Sequence, residues 1–292
     1  MKVKYIIMQA VLIIAHKNVD QVIELSKKLR PIFKVIIHFD KKTSVSNLQK
    51  QQLQQMGVDY FSKISVNWGS WSIGQVAVEL MRRAMQDPEI DYIHLISGQD
   101  WPLKPVEAIN KFYENNNNIY LRYYKADTQK GHDNALNWQK FYYNYDLINR
   151  HSIFGKIFNR LSTWTQKLLR VNKLKKLGID LEIYTGANWC DLPRDVVQYC
   201  LKYFDHHKNF RKMLKTGSFS DEFWVQTIIC NASQFQSRLQ YDYHRFIKWE
   251  HVHNSFPAIL DERDYDAIKN SNAMFGRKFE SPYSDGLKKL LP

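Results

Sequence analysis

Short apolar runs alternate with segments of helical spacing through the first hundred residues, and few folds accommodate that alternation. The run over 5–15 is rich in β-branched residues and reads as a buried strand ending at His16-Lys17-Asn18. Val19, Val22, Ile23, Leu25 and Leu29 then recur at helical spacing until Pro31 stops them. Residues 34–40 read as a second strand that ends in an acid, Asp40. A polar helix over 46–55, a short strand over 58–61 and a helix over 72–85 follow. Residues 90–97 read as another strand, closed by Gly98-Gln99-Asp100 before Trp101-Pro102 turns the chain. Strands alternating with helices predict an α/β domain with a mostly parallel central sheet. Open sheets of this kind bind ligands outside the carboxyl ends of their strands, where Asp40 and Asp100 both fall.

The chain has 292 residues, 44% of them hydrophobic and 14% aromatic, enough to bury a sizeable core and to exclude a disordered tail. Lys and Arg number 42 against 29 acids, and the net charge of +13 favours an anionic partner. A nucleotide, a phospholipid-linked substrate, a membrane surface and nucleic acid all qualify. Nucleic acid is the least favoured, because the basic residues concentrate in one stretch and no nucleic-acid motif accompanies them. Cys190, Cys200 and Cys230 are odd in number and lack C-x-x-C spacing, so a reducing compartment is expected, with neither a disulfide framework nor a zinc site. The eleven-residue apolar run at the start is too short to span a membrane, and no small-residue cleavage site follows it. A cytoplasmic protein is therefore expected, without signal peptide or spanning anchor.

Ser218, Asp221 and Glu222 stand where an apolar, helix-like run begins. Ser218 and Asp221 have the spacing of a capping box, which leaves Glu222 unaccounted for. The other reading is an acid pair, with Glu222 a general base kept ionised by the unpartnered N–H groups of a helix start. Asp264-Tyr265-Asp266 has the Asp-x-Asp spacing of some metal sites, but it follows Asp261-Glu262-Arg263 at another expected helix start, where acids serve as caps.

In order along the chain, His16-Lys17-Asn18, His38-Phe39-Asp40, Val66-Asn67-Trp68-Gly69-Ser70-Trp71-Ser72 and Ser97-Gly98-Gln99-Asp100-Trp101-Pro102-Leu103-Lys104 resemble blocks of the core-2/I-branching glycosyltransferases, which include the peptide xylosyltransferases. Tyr184-Thr185-Gly186-Ala187-Asn188-Trp189, Ser220-Asp221-Glu222, Phe246-Ile247-Lys248-Trp249 and Phe275-Gly276-Arg277-Lys278-Phe279 resemble the later blocks. Gly-Gln-Asp-Trp-Pro and Gly-Arg-Lys-Phe are the most diagnostic.

The resemblance implies a single glycosyltransferase-A type domain, with a nucleotide-binding half over about 1–125 and an acceptor-binding, catalytic half over about 126–292. It implies inverting transfer from a UDP-sugar, GlcNAc or else xylose or glucose, to a carbohydrate or lipid-linked glycan, as in bacterial surface-polysaccharide assembly. Glu222 falls on the family's base and Lys278 on its diphosphate-binding cation, with no divalent metal and no other cofactor. Asp40 and Trp68 fall on donor-binding positions, and Asp100, Trp189 and Asp221 near the donor or acceptor sugar. Some relatives place a second diphosphate-binding Arg where this chain has Ser255; Arg277, Arg263 and Arg245 are the candidates to replace it. An inactive carbohydrate-binding relative is the alternative, and retention of Glu222 and Lys278 argues against it. For Asp40, Trp68 and Asp100 the residues themselves leave structural roles open: a strand-end acid, a core-packing turn and a tight turn.

Between 147 and 178 there is no acid, while Arg150, Lys156, Arg160, Lys167, Arg170, Lys173, Lys175 and Lys176 are basic. Ile153, Ile157, Leu161, Trp164 and Leu168 recur there at helical spacing. This segment, 150–176, reads either as a peripheral membrane contact or as a lid whose apolar stripe packs on the domain. Trp138, Phe141, Tyr142, Tyr143 and Tyr145 just before it suit a sugar acceptor or a core.

Overall fold

The computed structural model describes residues 8–128 and 134–292. The elements run β1 (Met8–Ala15), α1 (Val19–Leu29), β2 (Lys34–Phe39), α2 (Asn47–Gln55), β3 (Asp59–Phe61), α3 (Ser72–Met85) and β4 (Ile90–Ser97). Then come β5 (Asp100–Pro102), α4 (Val106–Tyr113), β6 (Ile119–Lys125), α5 (Leu136–Lys140), α6 (Ile153–Leu168), α7 (Lys173–Lys176) and β7 (Tyr184–Pro193). Helices α8 (Arg194–His206), α9 (Lys208–Lys215) and α10 (Trp224–Cys230) lead to β8 (Leu239–Gln240), β9 (Arg245–Ile247), α11 (Tyr265–Lys269), β10 (Phe275–Arg277) and α12 (Asp285–Leu290). Helices α1 and α3 and strand β4 have the bounds read from the sequence. The expected first strand is described from Met8 onward; its residues 5–7 lie outside the described ones.

The large sheet has the order β3-β2-β1-β4-β7-β6-β8. Pairing is parallel from β3 through β4 and between β6 and β8, and antiparallel where β7 meets β4 and β6. The expected α/β architecture with a mostly parallel central sheet is the one observed. Strand β1 shows why its sequence is almost wholly apolar: Ala10, Leu12 and Ile14 face a core shared with α3, while Val11, Ile13 and Ala15 face one shared with α1. Successive side chains of a strand alternate between faces, so a central strand covered on both sides carries no polar stripe.

A smaller sheet, β5-β10-β9, closes the carboxyl side of the parallel strands. It is fastened from beneath by a buried polar network. Arg245 donates to both Asp191 carboxylate oxygens, at 2.7 and 2.9 Å, and Tyr113 donates to Asp191 at 2.7 Å. His94 bridges Asp191 at 2.9 Å and Gln9 at 3.1 Å. Burial alone would raise the Asp191 carboxyl, but Arg245 and His94 hold it well below the ordinary range. The network ties β1, β4, β7, α4 and β9 together.

Candidate active site

The site begins at the carboxyl ends of β1, β2 and β4. His38 is fully buried, and its Nε2 accepts from the backbone N–H groups of Lys63 and Ile64. Burial lowers its pKa to about 4, so it acts as a neutral acceptor. Asp40 Oδ1 accepts from the N–H groups of Lys42 and Val66, which holds the following loop against the strand end. Asp40 is 5% exposed, with Oδ2 3.7 Å from Lys42 Nζ, so its first role is to build this wall of the recess.

Beside it the N-terminal and C-terminal blocks meet. Lys17 pairs with Glu280 at 2.6 Å, and Gln99 donates to the same Glu280 oxygen at 2.9 Å. Arg277 lies over the half-buried Trp189 ring at 4.5 Å and reaches Ser97 Oγ at 3.3 Å. Lys278 Nζ donates to Ser255 Oγ at 2.9 Å and to the Phe256 carbonyl at 3.2 Å. Burial, then Arg277 and Lys17, push the Lys278 ammonium below its ordinary range, with only Glu280 opposing. His16 is lowered by burial and by Lys17 and Arg277 in turn. Lys17, Arg277 and Lys278 thus crowd one patch, with Glu280 paired to Lys17 and Asp100 3.4 Å from Arg277, and the surplus of cations favours negative charge there.

Asp100 is 1% exposed; its carboxylate accepts from Ser97 N at 2.6 Å and lies 3.4 Å from Arg277. Burial raises its pKa against the pull of Arg277. It holds the β4–β5 turn and lies beside Arg277. Among the three candidate arginines, Arg245 is consumed by Asp191, and Arg263 is bound to Asp261 at 2.5 and 2.9 Å. Arg277 is the one left facing the patch, while Ser255, at the position of the missing arginine, holds Lys278.

The acid pair sits on a turn that packs against β7. Ser220–Glu222 form a 3-10 turn before α10, and that turn packs against β7 and α3. Phe219 leads into it with φ 50°, an uncommon conformation for a non-glycine residue. It is held by its N–H to the Gly69 carbonyl at 2.8 Å and by the Trp68 ring edge at 4.9 Å. The expected capping box between Ser218 and Asp221 does not form: Ser218 Oγ reaches Tyr145 instead, and the turn has no side-chain cap. Asp221 is 6% exposed, and its Oδ1 lacks a hydrogen-bond partner.

The electrostatics of the pair also depart from expectation. Burial pushes Asp221 up to about 7; burial and then the Asp221 charge push half-buried Glu222 well above the ordinary range. Desolvation of two adjacent carboxyls opposes the helix start and favours their protonated forms. The pair titrates as a unit. Burial, and then the Glu222 charge, raise Tyr124 of β6, and Tyr124 pairs in register with Thr185 of β7. Trp189, under Arg277, lies on the same strand. Strand β7 thus meets Arg277 through Trp189 and packs against the turn that carries the acid pair.

Trp68 is 53% exposed but not bare: Arg150 covers it at 4.6 Å and the His151 ring lies beside it at 5.1 Å, tilted by 34°. The same guanidinium lies 4.8 Å from Phe219 and 5.0 Å from Tyr145. Lys17, Glu280 and this Arg150 clamp had no assigned role in the sequence. The block His16-Lys17-Asn18 directly after a strand was the available signal for Lys17. Asp261 caps Glu262–Asp264 as expected, and Asp264 pairs with Lys248 at 2.8 Å, so the Asp-x-Asp stretch is spent on structure. Among the described residues no group of three or more His, Cys, Asp or Glu is placed to hold a metal. The lid reading of α6 is overturned, since its apolar stripe faces outward. Phe141 and Tyr145 are buried, and Trp138 packs on Phe219 and Phe223, so this aromatic group serves mainly as core.

Fold and site together define an α/β domain that gathers cations at the carboxyl edge of its parallel strands and carries an acid pair, Asp221 and Glu222, on a turn packed against β7 and α3. A family model described as Core-2/I-Branching enzyme matches residues 12–269. The chain belongs to that family. Lys278 and Arg277 lie just beyond the matched span. Two Arabidopsis thaliana proteins, Beta-glucuronosyltransferase GlcAT14A and Beta-glucuronosyltransferase GlcAT14B, are each 30% identical, over 39% and 37% of this chain. These matches span about a quarter of the relatives' own length, 26% and 25%. Solved structures show a looser likeness. Core-mannan synthase A from Aspergillus fumigatus has a TM-score of 0.37 at 9% identity, over 81% of this chain and 75% of its own. The WbbM bifunctional glycosyltransferase has 0.40 at 10%, over 94% and 46%.

Proposed function

We propose that this chain transfers a sugar from a UDP-linked donor to a carbohydrate hydroxyl with inversion and without a divalent metal. The observation that carries the reading is the convergence of Lys17, Arg277 and Lys278 on one patch at the strand ends. A departing diphosphate develops negative charge as the bond from the anomeric carbon to its oxygen breaks, and fixed cations lower that barrier. Glu222 takes the proton of the acceptor hydroxyl as that oxygen attacks the anomeric carbon from the opposite side. Asp40 shapes the wall for the nucleoside, with Trp68 at the far side of the same loop. Trp189 and Asp221 border the space between cations and base. The donor sugar is GlcNAc, xylose or glucose on the family resemblance, and the names of the Arabidopsis relatives add glucuronic acid.

A donor-hydrolysis screen in excess EDTA tests this, using UDP-GlcNAc, UDP-xylose, UDP-glucose and UDP-glucuronic acid. Release of UDP from one of them is expected to survive the chelator. Loss of activity in EDTA with recovery on adding manganese would mean that a metal, and not these side chains, meets the leaving diphosphate. No release from any donor would remove UDP-sugar transfer itself.

A further inference from the structure

We propose that α6 docks this protein onto the anionic surface of a lipid bilayer. The helix is attached with its polar side inward, the reverse of an ordinary surface helix. Gly155 is its one buried residue, pressed so close to Asn149 that a Cβ would lie 2.0 Å from the Asn149 carbonyl oxygen. Gln166 completes the seam, donating to the Tyr142 carbonyl at 2.9 Å and accepting from its N–H at 2.7 Å. Ile153, Phe154, Ile157, Leu161, Trp164 and Leu168 are 55–80% exposed. At 3.6 residues per turn their stripe is centred roughly 150° around the helix from the seam of Gly155, Ser162 and Gln166. An exposed apolar surface of this extent marks an interaction site.

Charge decides what covers it. Lys156, Arg160 and Lys167 form a row along one border of the apolar stripe, and no acid occurs from 147 to 178. Where α6 ends, an open recess of about 630 Å³ is lined by Arg170, Lys175 and Lys176 with Tyr142, Gln166 and Asn172. Cations beside that recess suit a phosphate-bearing headgroup. Two copies facing each other through this surface would bring like charges together, which disfavours a symmetric dimer. A projecting helix with an apolar ridge, a tryptophan and a flanking cationic row fits a bilayer, burying the ridge among acyl chains and leaving the cations at headgroup level. Among the described residues no helix is long and apolar enough to cross a membrane, so the contact lies in the plane of one surface.

Sedimentation of the full chain with vesicles tests the proposal. One set is phosphatidylcholine alone and the other contains one third phosphatidylglycerol. Binding is expected to be at least roughly tenfold tighter to the anionic set, and about 0.5 M salt should weaken it without abolishing it. The combined variant Ile157→Ser, Leu161→Ser, Trp164→Ser should lose at least roughly tenfold in affinity with an unchanged melting temperature, because these side chains touch solvent rather than core. Lys156→Gln with Arg160→Gln should erase the preference for anionic lipid. Absence of binding to anionic vesicles at low salt, equal binding to both sets, or unaltered binding by the triple serine variant would overturn the proposal. Light scattering that finds a dimer dissociated by the serine variant would also overturn it and assign the face to a second copy.

Discussion

Asp221 and Glu222 are neighbours in sequence with opposite expected consequences on substitution. Glu222→Gln keeps the shape and removes the basicity, so transfer should fall by roughly a hundredfold or more while UDP affinity stays near wild type. Lys278→Ala should instead weaken UDP binding as well as slow transfer, since its charge meets the diphosphate. Initial rates and UDP titration on both variants check the division; a Glu222→Gln enzyme with full turnover would place the base elsewhere. For Asp221 the concern is stability. Its carboxyl is raised to about 7 in the fold, against 3.8 for a free aspartate. Between those values the native state binds more protons than the unfolded chain, so stability falls as pH rises through the window. Asp221→Asn carries no charge to bury, and it should melt higher than wild type at pH 8, on the order of 1 kcal/mol, with the gain shrinking towards pH 4. Melting curves at the two pH values check this, and a variant that melts lower at pH 8 would contradict it. Activity should likewise rise with pH along an acid limb above the ordinary carboxylate range, because Glu222, raised by burial and then by the Asp221 charge, must lose its proton to act as a base.

At the scale of elements, legibility follows locality. Helices α1 and α3 and strand β4 are readable because Pro31 stops α1 and Gly98 follows β4, while hydrophobic spacing marks each interior. Strand β7 is different. Its block Tyr184-Thr185-Gly186-Ala187-Asn188-Trp189 stands out by likeness, but nothing local says that it runs antiparallel between β4 and β6. That placement is set by partners far along the chain: Asp191 by Arg245, His94 and Tyr113, and Gly186 by the Arg122 carbonyl oxygen, which a Cβ would approach to 1.8 Å. The acid pair is legible as residue types, and its raised pKa values are not, because they arise from burial against β7, α3 and α10. Asp191→Ala would leave the buried Arg245 charge uncompensated and is expected to destabilise the fold by about 3–5 kcal/mol. Denaturant unfolding measures it; a loss below about 1 kcal/mol would show that the network is not what fastens β7.

Across the whole molecule the charge is unevenly distributed, and the two basic regions carry different assignments. Lys17, Arg277 and Lys278 gather near the strand ends, close enough for Arg277 and Lys17 to depress the Lys278 ammonium. Lys156 and Arg160 lie on a helix that projects from the body. Net charge of +13 favours an anionic partner without saying how many, and these two basic groups lie on different elements of the fold. Between those places stands Arg150, whose guanidinium lies over Trp68, Tyr145 and Phe219, two residues before the Ser152 that caps α6. Phe219 in turn stands two residues before Asp221. With the helix docked on lipid, Arg150 would be one link between α6 and the turn that carries the acid pair, in addition to the Gln166–Tyr142 seam. The kinetics that follow are interfacial: velocity would track the mole fraction of anionic lipid in the surface rather than the bulk concentration of acceptor.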